Sequence, residues 1–350
     1  MGGGVPFIQI EEMVTLEALE ALRPEWTDLW ERCPSATPFQ APEWLLTWWK
    51  HFGGNMLWVL ALRSRGRLVG LAPFFIHYIL ERKKRQVSFI GTDVTDYLDV
   101  LLDPDFAAAG AESALNYLAL QRARWDICDL RNIRPGSPLL NAPVPSSLQV
   151  RLSSSIVCPV LALPGTVEEF YSGLPAGYRM RVQRARALME RSGDMRVEIA
   201  DEETLPDFLD VLFRLHRAHW IQRNLGDVLS RYDIQAFHWE AAAGLLKRGC
   251  LRLYVLRRYD MTIAALYAFA FRDLVYCYLG GIEPEMRVFS PGTVITGYAI
   301  EDAIRSGCRE FDFLRGNESC KYIWGARERR NRRMLVWQRS RRHGEPAAFL

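Results

Sequence analysis

"YLGGIEPEMRVFSPGTVITGYAIEDAIRSGCREFDFLRGNESCKYIWG", residues 278–325, decides the fold. An apolar run ends in Gly280-Gly281, a loop follows, and Ser290-Pro291-Gly292-Thr293 opens a helical stretch to about Ser306. A Ser at the cap and a Pro near the first helical position are ordinary start signals. The apolar "EFDFL" (310–314) then reads as a second strand. Following a strand, helix and strand, Asp312 through Tyr322 fall at the carboxyl end of the sheet, where α/β proteins usually bind ligands. Yet Asp312 sits inside the second strand, and Glu318, Cys320, Lys321 and Tyr322 crowd in just after Gly316.

Working outward, "LRLYVLRR" (251–258), "TIAALYAFAFRD" (262–273) and "LVYCYLGGI" (274–282) read as an antiparallel meander. The first half has the same order. "MLWVLALRS" (56–64) and "RLVGLAPFFIHYI" (67–79) flank an Arg65-Gly66 turn, and "QVSFIG" (86–91) and "DYLDVLLD" (96–103) follow. Next come an alanine-rich helix (106–124) and the strand "WDICDLRNI" (125–133). "DLRN" (129–132) echoes "FLRGN" (313–317), which together with the matched order indicates a duplicated unit. The stretch 134–155, rich in Pro, Ser and Gly, is the linker candidate. Further helices are expected at 178–192, 205–223 and 233–248, with a last strand at 329–340. The fold class is therefore α/β, in the form of sheets with flanking helices, over two domains at 1–155 and 156–350.

The chain of 350 residues suits two cores. Its 44 basic and 41 acidic residues demand no polyanion, and no DNA contact is expected. Seven scattered cysteines form no CxxC pair, so neither a disulfide framework nor a structural metal is expected, and a reducing, cytoplasmic setting fits. No signal peptide is read at the N-terminus, Pro6 stands against acylation at Gly2, and the apolar run 262–271 is too short to span a bilayer. GxSxG, Walker and GxGxxG patterns are missing, which removes the main support for serine hydrolase, P-loop and Rossmann readings.

Four constellations carry candidate chemistry. The helix start at Ser290, Pro291, Gly292 and Thr293 offers free N–H groups and a dipole to phosphate oxygens, although taken alone a plain cap is the ordinary reading. In the 312–322 cluster, Lys321 could neutralise a phosphate or an oxyanion. There Asp312 or Glu318 could take a proton, and Tyr322 or Cys320 could give one to a leaving thiolate. "LFRLHRAHW" (212–220) places His216 and Trp220 one turn apart, more as an inner helix face than as a metal site, with His216 a candidate base and both residues candidates to line a substrate cleft. "YRMRVQRARALMERSG" (178–193) could meet phosphates, RNA or a membrane, but a solvated helix face is the ordinary reading. In the first half, Asp96 and Tyr97 could face a substrate cleft.

These stretches, with "PFQAPEWLLTWW" (38–49), "TDYLDVLL" (95–102) and "LHRAHW" (215–220), resemble the CelD/BcsL-type acetyltransferases of the GNAT superfamily. That group shares a tandem-GNAT layout with the FemABX peptidyltransferases. The resemblance implies two GNAT-like domains, the last strand returning to the first. It implies an acyl-CoA, such as acetyl-CoA, with its pyrophosphate at 290–293. Tyr278, Leu279 and Gly280 would polarise the thioester, and an amine or hydroxyl would attack it. The expected acceptor is a small molecule or glycan precursor of polysaccharide or envelope metabolism. "RVFSPGT" (287–293) replaces the superfamily's usual Arg/Gln-x-x-Gly-x-Gly/Ala motif, and Cys320 precedes Lys321 where a tyrosine is usual. Two alternatives stay open: transfer from aminoacyl-tRNA, and a non-catalytic scaffold.

Overall fold

The computed structural model describes residues 7–191, 193–221 and 228–339. The chain divides into two compact units, residues 1–156 with 330–350, and residues 157–329. The readings made at the N-terminal six residues lie outside the described part.

The first unit holds β1 (Gln9–Met13), α1 (Leu16–Ala21), α2 (Arg23–Arg32), α3 (Pro42–Phe52), β2 (Met56–Ser64), β3 (Arg67–Ile79) and β4 (Lys84–Phe89). It continues with β5 (Leu101–Leu102), α4 (Ala107–Leu120), β6 (Ile127–Ile133) and the start of β7 (Leu148–Ala162). In the second unit come α5 (Val167–Gly173), α6 (Ala176–Arg191), β8 (Met195–Ile199), α7 (Leu205–Ile221), α8 (Tyr232–Lys247) and β9 (Leu251–Arg258). There follow β10 (Met261–Phe271), β11 (Leu274–Ile282), α9 (Pro291–Arg305), β12 (Glu310–Asp312) and α10 (Ser319–Tyr322). The last strand, β13 (Arg327–Gln338), begins in the second unit and ends in the first.

Both units repeat one pairing pattern. In the first, β1, β2, β3 and β4 pair antiparallel in sequence, and β4 then pairs parallel with β6. In the second, β8, β9, β10 and β11 pair antiparallel and β11 pairs parallel with β12. A helix, α4 or α9, supplies each crossover, because two parallel strands cannot be joined by a tight hairpin.

In the first unit, Leu115 and Leu118 of α4 pack on Trp58, Leu60 and Phe74, all essentially buried. Trp48 of α3 meets Phe75, the next residue along β3, so the two faces of the sheet alternate as a pleat requires. In the second unit, Ile295, Ala299, Ile300 and Ala303 of α9 share one core with Val182 and Met189 of α6 and with Leu266 and Ala268 of β10. Tyr267 and Phe269 alternate with these residues along β10, and Tyr267 meets His238 of α8. Each fully buried aromatic ring contributes about 1.5–3 kcal/mol.

Two expected strands are shorter than the apolar pattern suggests. Of 96–103 only Leu101–Leu102 pairs, with β3, because Asn132 donates to the Thr95 carbonyl and so holds the preceding segment in irregular form. "EFDFL" pairs only through Asp312, since Leu314 is left-handed (φ 53).

Candidate functional site

The site begins with a fork in the second sheet. β11 and β12 pair over Leu274–Tyr276 and Glu310–Asp312 only. Beyond that point the ladder stops, and among the described residues β11 from Cys277 to Ile282 has no partner strand on that side. Two local events open the fork. A register shift between Tyr267 and Ala268 makes a bulge opposite Cys277–Leu279, and bulges add twist. On the other prong, Asp312 Oδ1 accepts the Leu314 N–H at 2.8 Å, and the chain then keeps to β7, with Phe313 N–H donating to Pro159 and Gly316 N–H to Val157. Tyr278, Leu279 and Gly280 thus lie on the free length of β11, and Asp312 closes the paired length of β12.

Asp312 is wholly buried, and its other oxygen is engaged by the Arg329 guanidinium. Arg329 also holds Glu310 at 3.0 Å. A carboxylate committed to an arginine and a backbone N–H is a positioning group. Sequence reasoning missed Arg329. Its only trace is a basic run, "RERRNRR", in which nothing singles out one arginine.

The turn after β12 brings the other expected residues together. Lys321 donates to the Arg315 carbonyl at 2.6 Å and pairs with Glu318 at 3.0 Å. The Glu318 side chain remains half exposed, and the Tyr322 hydroxyl donates to Asn317 Oδ1. Cys277, first residue of the free edge, senses all of this turn. Burial pushes its thiol up to about 12, the Lys321 ammonium works against that, and Cys320, Asp312 and Glu318 reinforce it. The free edge of β11 and the 312–321 cluster are therefore one electrostatic neighbourhood. Sequence reasoning did not single out Cys277.

Past the fork, a 3-10 turn (Pro284–Phe289) leads to α9. Ser290, the cap, is left-handed (φ 53, ψ 48) and its side chain makes no capping hydrogen bond. The Thr293 and Val294 N–H groups both return to the Ser290 carbonyl. Pro291 has no N–H, and the Gly292 N–H has no acceptor within the helix by its position in the first turn. A Cβ on Gly292 would meet only an Ile282 methyl at 3.4 Å, so this terminus is open.

His216 lies behind β11. A Cβ on Gly281 would fall 2.6 Å from the His216 backbone nitrogen, so α7 can press onto the strand only because residue 281 is glycine. His216 is buried, and burial together with His216 lowers the His238 imidazole to about 3, keeping it neutral. Beside His238, the Tyr267 hydroxyl is fully buried without a hydrogen-bond partner among the described residues, and burial raises its pKa well above the usual phenol. Trp220 is on α7, but its side chain lies outside the described residues.

Asp96 and Tyr97 belong to the first unit and are buried there. The Asp96 carbonyl accepts from Asn331, and the Tyr97 ring lies edge-on to Phe39 beneath the Arg134 guanidinium. Among the described residues, no group of three or more His, Cys, Asp or Glu side chains is placed to hold a metal ion.

The family described as "Acetyltransferase (GNAT) domain" matches residues 176–322, the stretch from α6 to α10. Across nearly the whole chain the fold is similar to that of FemX (TM-score 0.65, 12% identity, covering 93% of this chain and 96% of that one). The fold is a mixed α/β fold shared with FemX. It is also similar to a conserved protein of unknown function from Bacteroides thetaiotaomicron (0.58, 10% identity, 95% and 100% covered). L-PGS from Bacillus licheniformis is a further structural relative (0.52, 13% identity, 86% and 93% covered). No curated protein matches the sequence. The fork between β11 and β12 and the start of α9 both fall inside the stretch that matches the family.

Proposed function

We propose that the second unit transfers an acyl group from an acyl-CoA, acetyl-CoA first among them, to an amine or hydroxyl of a small-molecule or glycan-precursor acceptor. The observation that carries this reading is the fork: β11 loses its partner strand after Tyr276. A thioester laid along the free edge would meet backbone N–H groups from the Tyr278–Gly280 stretch. Such donors stabilise the oxyanion that forms when the acceptor attacks the carbonyl. The new C–N or C–O bond forms, the C–S bond breaks, and the thiolate leaves with a proton.

The first turn of α9, from Ser290 to Thr293, takes the donor's pyrophosphate, for which an open helix start with a glycine is suited. Glu318 takes the proton of the acceptor, because its carboxylate is the exposed one in the cluster whereas that of Asp312 is fully buried and paired. Tyr322 or Cys320 returns a proton to the thiolate. Asp312 fixes the turn that holds both.

Calorimetric titration with acetyl-CoA and with free CoA, repeated on Gly292→Trp, tests the donor site. Saturable binding that the variant loses supports it. Absence of any CoA or acyl-CoA binding contradicts it and favours a second reading, transfer from aminoacyl-tRNA. The likeness in fold to FemX supports that second reading.

A further inference from the structure

Helix α6 (Ala176–Arg191) is anchored by Val182, Ala185 and Met189, which are buried, while Arg186 turns inward to Glu301 of α9. The opposite face has an unusual composition. Met180 and Leu188 are exposed at 51% and 42%, and Arg181, Arg184 and Arg191 stand beside them, also exposed. Met180, Arg184 and Leu188 are spaced four apart, so they form one row along the helix. Among the described residues, none of these three arginines has a carboxylate partner. By contrast, Arg63, Arg85, Arg257, Arg305 and Arg333 are all paired. The 3-10 turn 284–289 packs beside α6 and adds an exposed Arg287 and Val288, the latter 70% exposed. Glu190 on α6 and Glu285 on the turn are the acids within these two segments that face solvent.

We propose that this outer face of α6, with the adjoining turn, docks on an anionic lipid surface. Unpaired guanidinium groups are attracted by the negative potential of acidic headgroups, and their aliphatic stems can lie along apolar surface while the charge stays wet. Met180, Leu188 and Val288 supply side chains of the kind that enter the boundary between headgroups and acyl chains. RNA is the competing polyanion. Sequence-tolerant RNA contacts combine basic groups with aromatic planes on which bases stack, whereas the exposed apolar residues flanking these arginines are mainly aliphatic. Because α6 is already fixed by its buried face, it docks as a rigid surface. Few apolar groups are free to insert, so the attachment is reversible and weakens with salt. The inference does not rest on the acyl-transfer reading.

The test is sedimentation of the full chain with vesicles of phosphatidylcholine, with and without phosphatidylglycerol, at low and high salt. Binding is expected only with the anionic lipid. The triple variant Arg181→Glu/Arg184→Glu/Arg191→Glu should lower partitioning about a hundredfold or more, given the contribution of each basic residue at a charged leaflet. Met180→Ser/Leu188→Ser, which keeps every charge, should lower it about tenfold. All five positions are exposed, and an unchanged circular dichroism melt shows that the variants fold. Equal partitioning of wild type and triple variant overturns the proposal. So does binding of a mixed-sequence single-stranded RNA by a chain that ignores anionic vesicles.

Discussion

Arg329 on β13 pairs its guanidinium with Asp312, a carboxylate with no solvent exposure at the end of β12. The pair sits at the base of the fork, so it bears on both stability and site geometry. Breaking a buried pair from one side strands a charge, which costs about 3–5 kcal/mol. Arg329→Leu should lose about that much in urea unfolding. Arg329→Leu/Asp312→Asn should recover part of it, since an amide oxygen can still accept the Leu314 N–H. A loss below about 1 kcal/mol for the single variant would contradict this account.

Glu318 is the exposed carboxylate beside Lys321. If it takes the acceptor's proton, Glu318→Gln should lower kcat by about 10²–10⁴ while acetyl-CoA affinity stays unchanged. Equal turnover by the variant would return the proton to another group or to water.

At Gly281 a methyl group has no room, with Leu215 and His216 backbone atoms within 2.7 Å of its Cβ position. Gly281→Ala should destabilise the second unit by about 1–3 kcal/mol, the usual range for overpacking. Gly280→Ala, where the nearest atoms are 3.4 Å away, is the control and should lie within about 1 kcal/mol of wild type. Similar melting temperatures for the two would refute the close approach.

Asp99 in the first unit accepts from Ser137 Oγ at 2.7 Å and from the Val100 N–H at 2.8 Å. Burial nevertheless raises its carboxyl to about 7, with these bonds and Arg134 acting in the opposite direction. The folded chain therefore holds this proton more tightly than the unfolded chain, whose aspartates titrate near about 3.9. Stability falls as pH rises from about 4 to about 7 and is level above. Asp99→Asn should be the more stable form at pH above 7, on the order of 2 kcal/mol, with its advantage shrinking as pH falls through that window. A difference between variant and wild type that does not change with pH would rule this out.

The meander of β9, β10 and β11, the helix α9 and the repeat in element order were legible because long apolar strands and a capped helix carry their signals locally. The ends of the strands were not. β12 stops at Asp312 through one side-chain hydrogen bond and one left-handed leucine, events that leave no mark on apolar spacing. The stretch read as a linker contributes strand from Leu148, where Leu148, Val150 and Leu152 alternate with Gln149 and Arg151 before three consecutive serines. Of the site, the residue types from 312 to 322 stood out by density. Their partners did not, because Arg329 joins Asp312 through tertiary pairing, and Cys277 looks like any small residue in an apolar strand.

β13 carries Arg333 as well, and Arg333 grips Asp129 of the first unit at 2.7 and 2.9 Å, just as Arg329 grips Asp312 of the second. Both acids are buried. Arg131 also pairs with Asp129, while Asp312 accepts the Leu314 N–H besides holding Arg329. One short strand thus completes a buried charge pair in each unit, so its loss should loosen both at once. A chain cut back to residue 326 should be protease-sensitive in both halves.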